Sequence, residues 1–396
     1  MLRLLAKFIL WRHKPRVVVV TGNIGKTCAK EAIFCVLAKK FRVKKNLAFP
    51  PGDFEPTERD IIFNILGSSL ANFLKTLFFP GNYPEIFVFE IELSAFNFPK
   101  YFKFLRPEVV VVTALGEIPA RVEFFAGPKS QALQNFKVKV LKNLPSFGHV
   151  VLNYDDETVR EIKEEIGSHS LTFGFQEGAD LTASDIFHQF LPENFKNSGL
   201  NFKLNFDGSA VPIWLHQVYG KLHIYSALAA AAVGLIFKLN LIEVSQALKE
   251  YKSPVLQMTL EKGVKRTWLL NDVLEASPAS MFNSLLVLKE LESGGRKVAV
   301  LGDMLGVGKY TEQAHRTIGE SASKFLDLLF CVGSRAKFIA DEAVKRGFPK
   351  EKIFEFNTSE EAGKIIQNEI KEGDLILIKG SKEMEMEKIV KEIKEI

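Results

Sequence analysis

From Arg16 to Thr21 the chain reads Arg-Val-Val-Val-Val-Thr, apolar at every interior position rather than at alternate ones, as a strand covered on both faces must be. A glycine-bearing turn follows, and apolar residues at helical spacing then run from Cys28 to Leu37. The same buried-strand pattern returns at Ile86 to Ile91, Val109 to Thr113 and Val150 to Leu152. Strands of this kind alternating with helical stretches predict a parallel α/β sheet. Between Asp180 and Val211 the pattern changes to short alternating stretches around Asn197-Ser198-Gly199 and Asp207-Gly208, which predict β-hairpins extending the first domain antiparallel. An Ala-rich helix is expected from Ser226 to Phe237, its small side chains permitting close approach to a neighbour. The break at Lys252-Ser253-Pro254 divides the chain into domains of residues 1–252 and 253–396. Beyond it, strands are expected at Trp268 to Leu270, Lys297 to Leu301, Leu328 to Val332 and Leu375 to Ile378, again alternating with helices. The fold class is therefore α/β: a central domain with a mostly parallel sheet, then a C-terminal Rossmann-like α/β domain.

With 396 residues, 47% hydrophobic and 25% charged, the chain has the length and balance of a folded globular protein, which excludes a disordered or fibrous one. The excess of 52 Lys and Arg over 47 Asp and Glu suits an anionic substrate and is too small to imply nucleic acid. Cys28, Cys35 and Cys331 have no metal-ligand or disulfide spacing, so a reducing compartment, the cytoplasm, is expected. The opening stretch MLRLLAKFILWRHKPR has its longest uncharged run from Phe8 to Trp11, far short of a membrane span, and shows no signal-cleavage pattern. Two placements fit it: an amphipathic helix packed on the first domain, or a membrane-surface contact by residues 1–16. Phe is unusually abundant, at 34 residues against 7 Tyr and 3 Trp. Phe87, Phe89 and Phe330 fall on expected core strands; Phe49, Phe54, Phe78, Phe79, Phe96, Phe98, Phe124 and Phe125 do not, and mark a candidate partner or substrate contact.

The chemistry is concentrated at Thr21-Gly22-Asn23-Ile24-Gly25-Lys26-Thr27, between a buried strand and a helix. Glycines there let backbone N–H groups approach an anion, and the helix N-terminus adds a positive partial charge. Lys26 can reach terminal phosphates and Thr27 can offer its hydroxyl to Mg²⁺, so Gly22, Asn23, Gly25, Lys26 and Thr27 form a candidate ATP-phosphate cradle. Position 20 is Val, so the loop is a variant of the Gly-x-x-x-x-Gly-Lys-Thr pattern. Glu90 closes the next buried strand, where open parallel sheets carry their ligand groups, and is with Thr27 the candidate metal ligand.

Taken together with segments further along the chain, these residues resemble the Mur ligase family, ATP-dependent amide-forming enzymes of peptidoglycan assembly, and within it the D-alanyl-D-alanine-adding branch. Phe87-Val88-Phe89-Glu90 resembles the family strand ending in a magnesium-binding Glu, and Arg106-Pro107-Glu108 with Val109 to Thr113 resembles the next strand. The stretch from Lys137 through Leu144-Pro145 to Asn153-Tyr154-Asp155 resembles the segment bearing a carbamylated lysine, which makes Lys137 the carbamylation candidate. Gly220 to Ala232 resembles the family's Ala-rich helix. Asn271-Asp272 with Ala276-Ser277-Pro278 resembles a segment whose Asp contacts the nucleotide ribose. Leu301-Gly302-Asp303-Met304 with His315, and Lys379-Gly380-Ser381-Lys382, resemble signatures of the last domain, adding Asp272 and His315 to the candidate nucleotide contacts. The resemblance implies γ-phosphoryl transfer from ATP to a peptide or muramyl-peptide carboxylate, followed by attack of an amino acid or dipeptide amine on the acyl phosphate.

Several positions depart from the family pattern. Arg121 stands where a metal-binding His is expected, keeping a positive charge but no ligand, and so joins Lys26 and Lys137 as a candidate catalytic group. Ser226, Gln257 and Glu275 replace an expected Asn, Arg and Asn, and residues 1–20 leave no room for the family's N-terminal uridine-nucleotide domain. The residues then support two readings: a peptide ligase of cell-wall precursor synthesis, or a catalytically impaired or partner-dependent nucleotide-binding relative. A third keeps the fold and changes the chemistry to polyglutamate or pseudomurein-type ligation.

Overall fold

The computed structural model describes residues 2–22, 24–46, 58–67, 81, 83–91, 103–114, 148–157, 159–160, 163, 170–254 and 256–395. Its first sheet has nine strands: β1 (Arg16–Thr21), β2 (Val43–Lys45), β3 (Ile86–Glu90), β4 (Val109–Val112), β5 (His149–Asn153), β6 (Ser170–Gly174), β7 (Leu181–Gln189), β8 (Gly199–Phe206) and β9 (Ser209–His216). They lie in the order β2-β3-β1-β4-β5-β6-β7-β8-β9. From β2 to β7 neighbours run parallel; β7, β8 and β9 are antiparallel. The expected hairpin extension is therefore present, and it continues the same sheet.

The valine runs are buried on both faces because helices cover both. One face receives α2 (Lys26–Ala38), the Ala-rich α4 (Lys221–Ile236) and α5 (Leu241–Leu248). The other receives α1 (Leu2–His13) and α3 (Glu58–Leu66) against Phe87 and Phe89, whose rings stack at 5.3 Å. The alternation in β8 between Leu200, Phe202 and Leu204, all buried, and its outward neighbours marks a strand covered on one side.

The second sheet comprises β10 (Thr259–Gly263), β11 (Thr267–Asp272), β12 (Lys297–Gly302), β13 (Leu328–Val332), β14 (Ile353–Phe356) and β15 (Leu375–Lys379), in the order β10-β11-β15-β12-β13-β14. Only β10 is antiparallel to its neighbour. α6 (Pro278–Glu290), α7 (Thr311–Ser323) and α8 (Lys337–Lys345) cover one face; α9 (Ser359–Glu369) and α10 (Glu387–Ile393) cover the other. Phe330 lies in this core, stacked on Phe354. Phe49, Phe54, Phe78, Phe79, Phe96, Phe98, Phe124 and Phe125 lie outside the described residues.

The C-terminal half of α2 is fixed by its packing on α4. Six of the buried positions of α4 are Ala or Gly, which lets the two backbones approach closely. A Cβ on Gly234 would lie 3.0 Å from Val36 Cγ1 and 3.1 Å from Val244 Cγ2, so the junction of α2, α4 and α5 has no spare volume. Gly234→Leu is expected to cost about 1–3 kcal/mol through overpacking. In equilibrium urea unfolding the midpoint falls while the slope is unchanged; an unchanged midpoint shows that the junction is looser than described.

Candidate functional site

β1 delivers the chain to Gly22 and Gly25, and both need to be glycine. A Cβ on Gly22 would lie 2.3 Å from Thr113 Oγ1 and 2.7 Å from the Ala114 carbonyl; Gly25 has φ 81° and caps α2 in the left-handed region. Among the described residues no side chain caps α2, and its first turn carries no acidic residue, so its N-terminus presents the partial positive charge that binds anions. Lys26 and Thr27 open the helix at the cavity wall.

Glu90 is brought beside this turn by strand register, Val20 pairing with Glu90 across β1 and β3. Its carboxylate is held from two sides. Thr27 Oγ1 donates to Glu90 Oε1 at 2.9 Å, and Lys30 Nζ donates to Oε2 at 2.9 Å from one helical turn below. The Lys30 side chain is 1% exposed and that of Glu90 11%, so this is a buried ion pair. Asn46, just beyond β2, fixes the backbone of Glu90 by accepting from its N–H and donating to its carbonyl.

The facing wall belongs to the second sheet. Asp272 and Lys379 are register partners at the ends of β11 and β15. Lys379 Nζ donates to Asp272 Oδ2 at 2.7 Å and to the Glu275 carbonyl at 2.7 Å; Ser284 Oγ of α6 also donates to Asp272 Oδ2, at 2.6 Å. Met258 N–H donates to the other carboxylate oxygen at 3.2 Å. The C-terminal ends of strands from both sheets thus meet at one cavity of about 260 Å³, lined by Lys26, Thr27, Glu90, His223, Asp272 and Lys379 among others. A second cavity of about 320 Å³ shares the Gly25 and Leu222 wall and continues past Thr113, Asn153, Asp155 and Tyr225. Asp155 is fixed there by the N–H groups of Phe175 and Gln176 and by the Tyr225 hydroxyl.

Gly22, Gly25, Lys26, Thr27, Glu90 and Asp272 are therefore assembled at the junction of the two sheets. His315 is not with them. Its ring is fully buried, with Nε2 accepting from the Met304 N–H at 3.0 Å and Nδ1 donating to the Thr311 carbonyl at 2.7 Å. Both nitrogens are used in holding the turn after β12, so the structure gives His315 a positioning place instead of a nucleotide contact. Asn23, Arg121 and Lys137 lie outside the described residues. Of the substituted positions, Gln257 Oε1 accepts from the Cys28 thiol of α2 at 3.0 Å, and Ser226 Oγ donates to the Leu222 carbonyl one turn back. The Glu275 carbonyl, a backbone group, is what receives Lys379. Sequence reasoning missed Lys30, Asn46, Ser284 and the partnership of Lys379 with Asp272. The available signal for Lys30 was a lysine three and four residues past Thr27 and Lys26 on an otherwise apolar helix.

Comparison with known proteins identifies the fold and the family. Residues 20–234 match the Mur ligase middle domain, and residues 258–382 match the family described as Mur ligase, glutamate ligase domain. The UDP-N-acetylmuramoyl-tripeptide--D-alanyl-D-alanine ligase of Bacillus subtilis (strain 168) is 28% identical over 394 residues, covering 99% of this chain and 79% of that protein. Among solved structures, the Thermotoga maritima MurF ligase in complex with ADP superposes with a TM-score of 0.76 at 21% identity, over 99% of this chain and 82% of that one. A pseudomurein peptide ligase type C from Methanothermus fervidus superposes with a TM-score of 0.66 at 18% identity, over 97% of this chain and 80% of that one.

His223 offers a pH test of the cavity floor. It is 1% exposed, with Nδ1 2.8 Å from the Tyr251 hydroxyl, and burial pushes its pKa from 6.5 down to about 4 against the opposing pull of Asp272. The unfolded chain therefore takes up this proton before the folded one does. The contribution of neutral His223 is complete above pH 6.5 and is lost as pH falls from there toward about 4, at up to about 1.4 kcal/mol per pH unit. His223→Gln is expected to flatten the decline of urea stability below pH 6.5 by about one proton's slope relative to the parent. Parallel declines in the two proteins refute the assignment.

Proposed function

The chain belongs to the Mur ligase family, and from that premise we propose that it forms an amide bond at the expense of ATP in the synthesis of a cell-wall peptide precursor. The observation that carries this reading is the single cavity in which the uncapped start of α2, with Lys26, Thr27 and Glu90, faces Asp272 and Lys379. We take residues 1–252 as the nucleotide-binding domain and 253–396 as the domain that closes over it.

In this reading the triphosphate lies on the α2 N-terminus, with Lys26 at its terminal phosphates and the Asp272 carboxylate accepting from the ribose hydroxyls. Lys379 and Ser284 hold Asp272 in that pose. A substrate carboxylate oxygen attacks the γ-phosphorus and ADP departs. The amine then attacks the acyl carbon, the tetrahedral intermediate expels phosphate, and the amine loses its proton. The relatives' names point to a muramoyl-tripeptide as the acid and D-alanyl-D-alanine as the amine. Lys137 and Arg121 are our candidates for the end of the site that receives the carboxylate. ATP as phosphoryl donor is consistent with a cytoplasmic reaction, and no helix among the described residues is long and apolar enough to cross a membrane.

Magnesium fits the residues present. Thr27 Oγ1 and Glu90 Oε1, 2.9 Å apart, are hard oxygen donors at the cavity wall, while Lys30 occupies the other carboxylate oxygen and fixes its orientation. Bound there, Mg²⁺ supplies positive charge beside the phosphates. Thr27 and Glu90 hold it, and Lys26 and the helix N-terminus supply the remaining charge stabilisation.

The test is phosphate release from ATP and Mg²⁺ in the presence of acceptor and amine peptides. Release depends on the acceptor and falls by about 100-fold or more in Lys26→Ala. Glu90→Gln keeps its fold by circular dichroism and requires more Mg²⁺ for half-maximal rate. Nucleotide binding without turnover across a broad peptide panel overturns the ligase assignment and favours the impaired relative.

A further inference from the structure

Four of the eight large apolar side chains that stand exposed among the described residues are on α1: Leu2, Leu4, Phe8 and Trp11, with Leu4 and Trp11 each 70% exposed. This is not a frayed segment. The inner face of α1 is anchored, Ala6 and Ile9 being fully buried against the α3 and β3 side of the first sheet. His13 stacks on Tyr83 at 4.2 Å, and the Arg3 guanidinium lies 5.8 Å from the centre of the Phe104 ring. With the inner face fixed, the outward face is fixed too.

At helical periodicity Leu4, Phe8 and Trp11 fall within about 60° of one another, forming one ridge with Lys7 on one side and Arg12 on the other. The rings of Phe8 and Trp11 are 6.0 Å apart. Residues 1–16 contain no acidic residue; Arg16 is ion-paired with Glu108 and Arg3 lies against Phe104, so Lys7, Arg12 and Lys14 are the cations left for the outer surface. An apolar ridge ending in an indole and flanked by cations matches the region where acyl chains meet anionic headgroups. A second copy of this chain is a poorer occupant, because apposed ridges would bring Lys7 and Arg12 of both copies together. We propose that α1 docks this protein on an anionic lipid surface, with Leu4, Phe8 and Trp11 entering the interface and Lys7 and Arg12 at the headgroups.

The experiment is flotation of the full chain with vesicles of phosphatidylcholine alone, or with about one-third phosphatidylglycerol. Binding to the anionic vesicles is expected to be roughly tenfold tighter, to weaken with salt and to shift Trp11 fluorescence to the blue. Phe8→Ser combined with Trp11→Ser lowers binding about tenfold, as does Lys7→Glu combined with Arg12→Glu. These side chains are exposed, so circular dichroism and ATP-dependent phosphate release stay at parental levels. Equal binding to both vesicle types, or by parent and variants, overturns the proposal. So does a dimer in size-exclusion chromatography that dissolves in the Phe8/Trp11 variant while neither protein binds vesicles, since the occupant is then a second copy.

Discussion

The Lys30–Glu90 pair is the constraint on which the rest of the site depends. Desolvating a carboxylate or an ammonium costs several kcal/mol, and the cost is offset only when geometry is good and the remaining polar atoms are satisfied. Lys30 is fully buried, so if Glu90 swung away the Lys30 ammonium would keep only the longer contact to Glu31, at 4.0 Å. The pair therefore ties the first turns of α2 to the end of β3. Thr27 uses the second carboxylate oxygen and Asn46 the backbone of Glu90, so the start of α2 and the ends of β2 and β3 are held as one unit. In the proposed reading the α2 N-terminus and Lys26 are then in place before a phosphate arrives, which is the benefit of preorganisation.

The second sheet repeats the device with different elements. Asp272 ends one parallel strand, Lys379 ends its neighbour, and register alone sets them opposite each other. Ser284 and the Met258 N–H complete the carboxylate's partners. Polar contacts around the cavity join the two halves: Cys28 to Gln257 on one side, and on the other His188, whose Nδ1 meets Glu290 of α6 at 2.9 Å while Nε2 accepts from the N–H of Gly220. Gly220 caps α4, the helix packed on α2. α4 thus touches α2 on one side and, through Gly220 and His188, Glu290 of the second domain on the other.

What was legible in the sequence was set by how locally each feature is encoded. Doubly covered strands such as β1, β3, β4 and β15 announce themselves because both faces must be apolar, and the loop announces itself because only glycine serves at Gly22 and Gly25. The hairpins were legible from their turn residues. Short or mixed strands such as β2, β6, β10 and β14 carry no such mark; β2 is Val-Lys-Lys, half-buried throughout, and becomes a strand only by pairing with β3. Partnerships are the least local property. That Lys30 meets Glu90 across 60 positions, or Lys379 meets Asp272 across 107, follows from topology and register rather than from either residue's neighbours. His315 shows a different limit: both nitrogens of a histidine that drew a functional reading bond within the turn after β12, which the sequence pattern did not reveal.

The charge balance of the cavity bears on the proposed binding of a triphosphate with a divalent cation. Among the described residues lining it, Lys26, Lys221 and Lys379 face Glu90, Asp272 and Glu275, three cations against three anions. Lys379 is already committed to Asp272, and the buried Lys30 behind the wall offsets Glu90 rather than adding to the lining. Gln257, bonded to the Cys28 thiol, contributes a dipole where a guanidinium would have contributed a charge. In the proposed reading a nucleotide with several negative charges therefore meets Lys26, Lys221, a helix N-terminus worth about half a charge and the Lys30-paired Glu90 carboxylate. Glu90, offset by Lys30, adds little net charge of its own. A divalent cation held by Glu90 Oε1 and Thr27 Oγ1, as proposed, would add positive charge beside the phosphates and turn the same carboxylate into an attractive element.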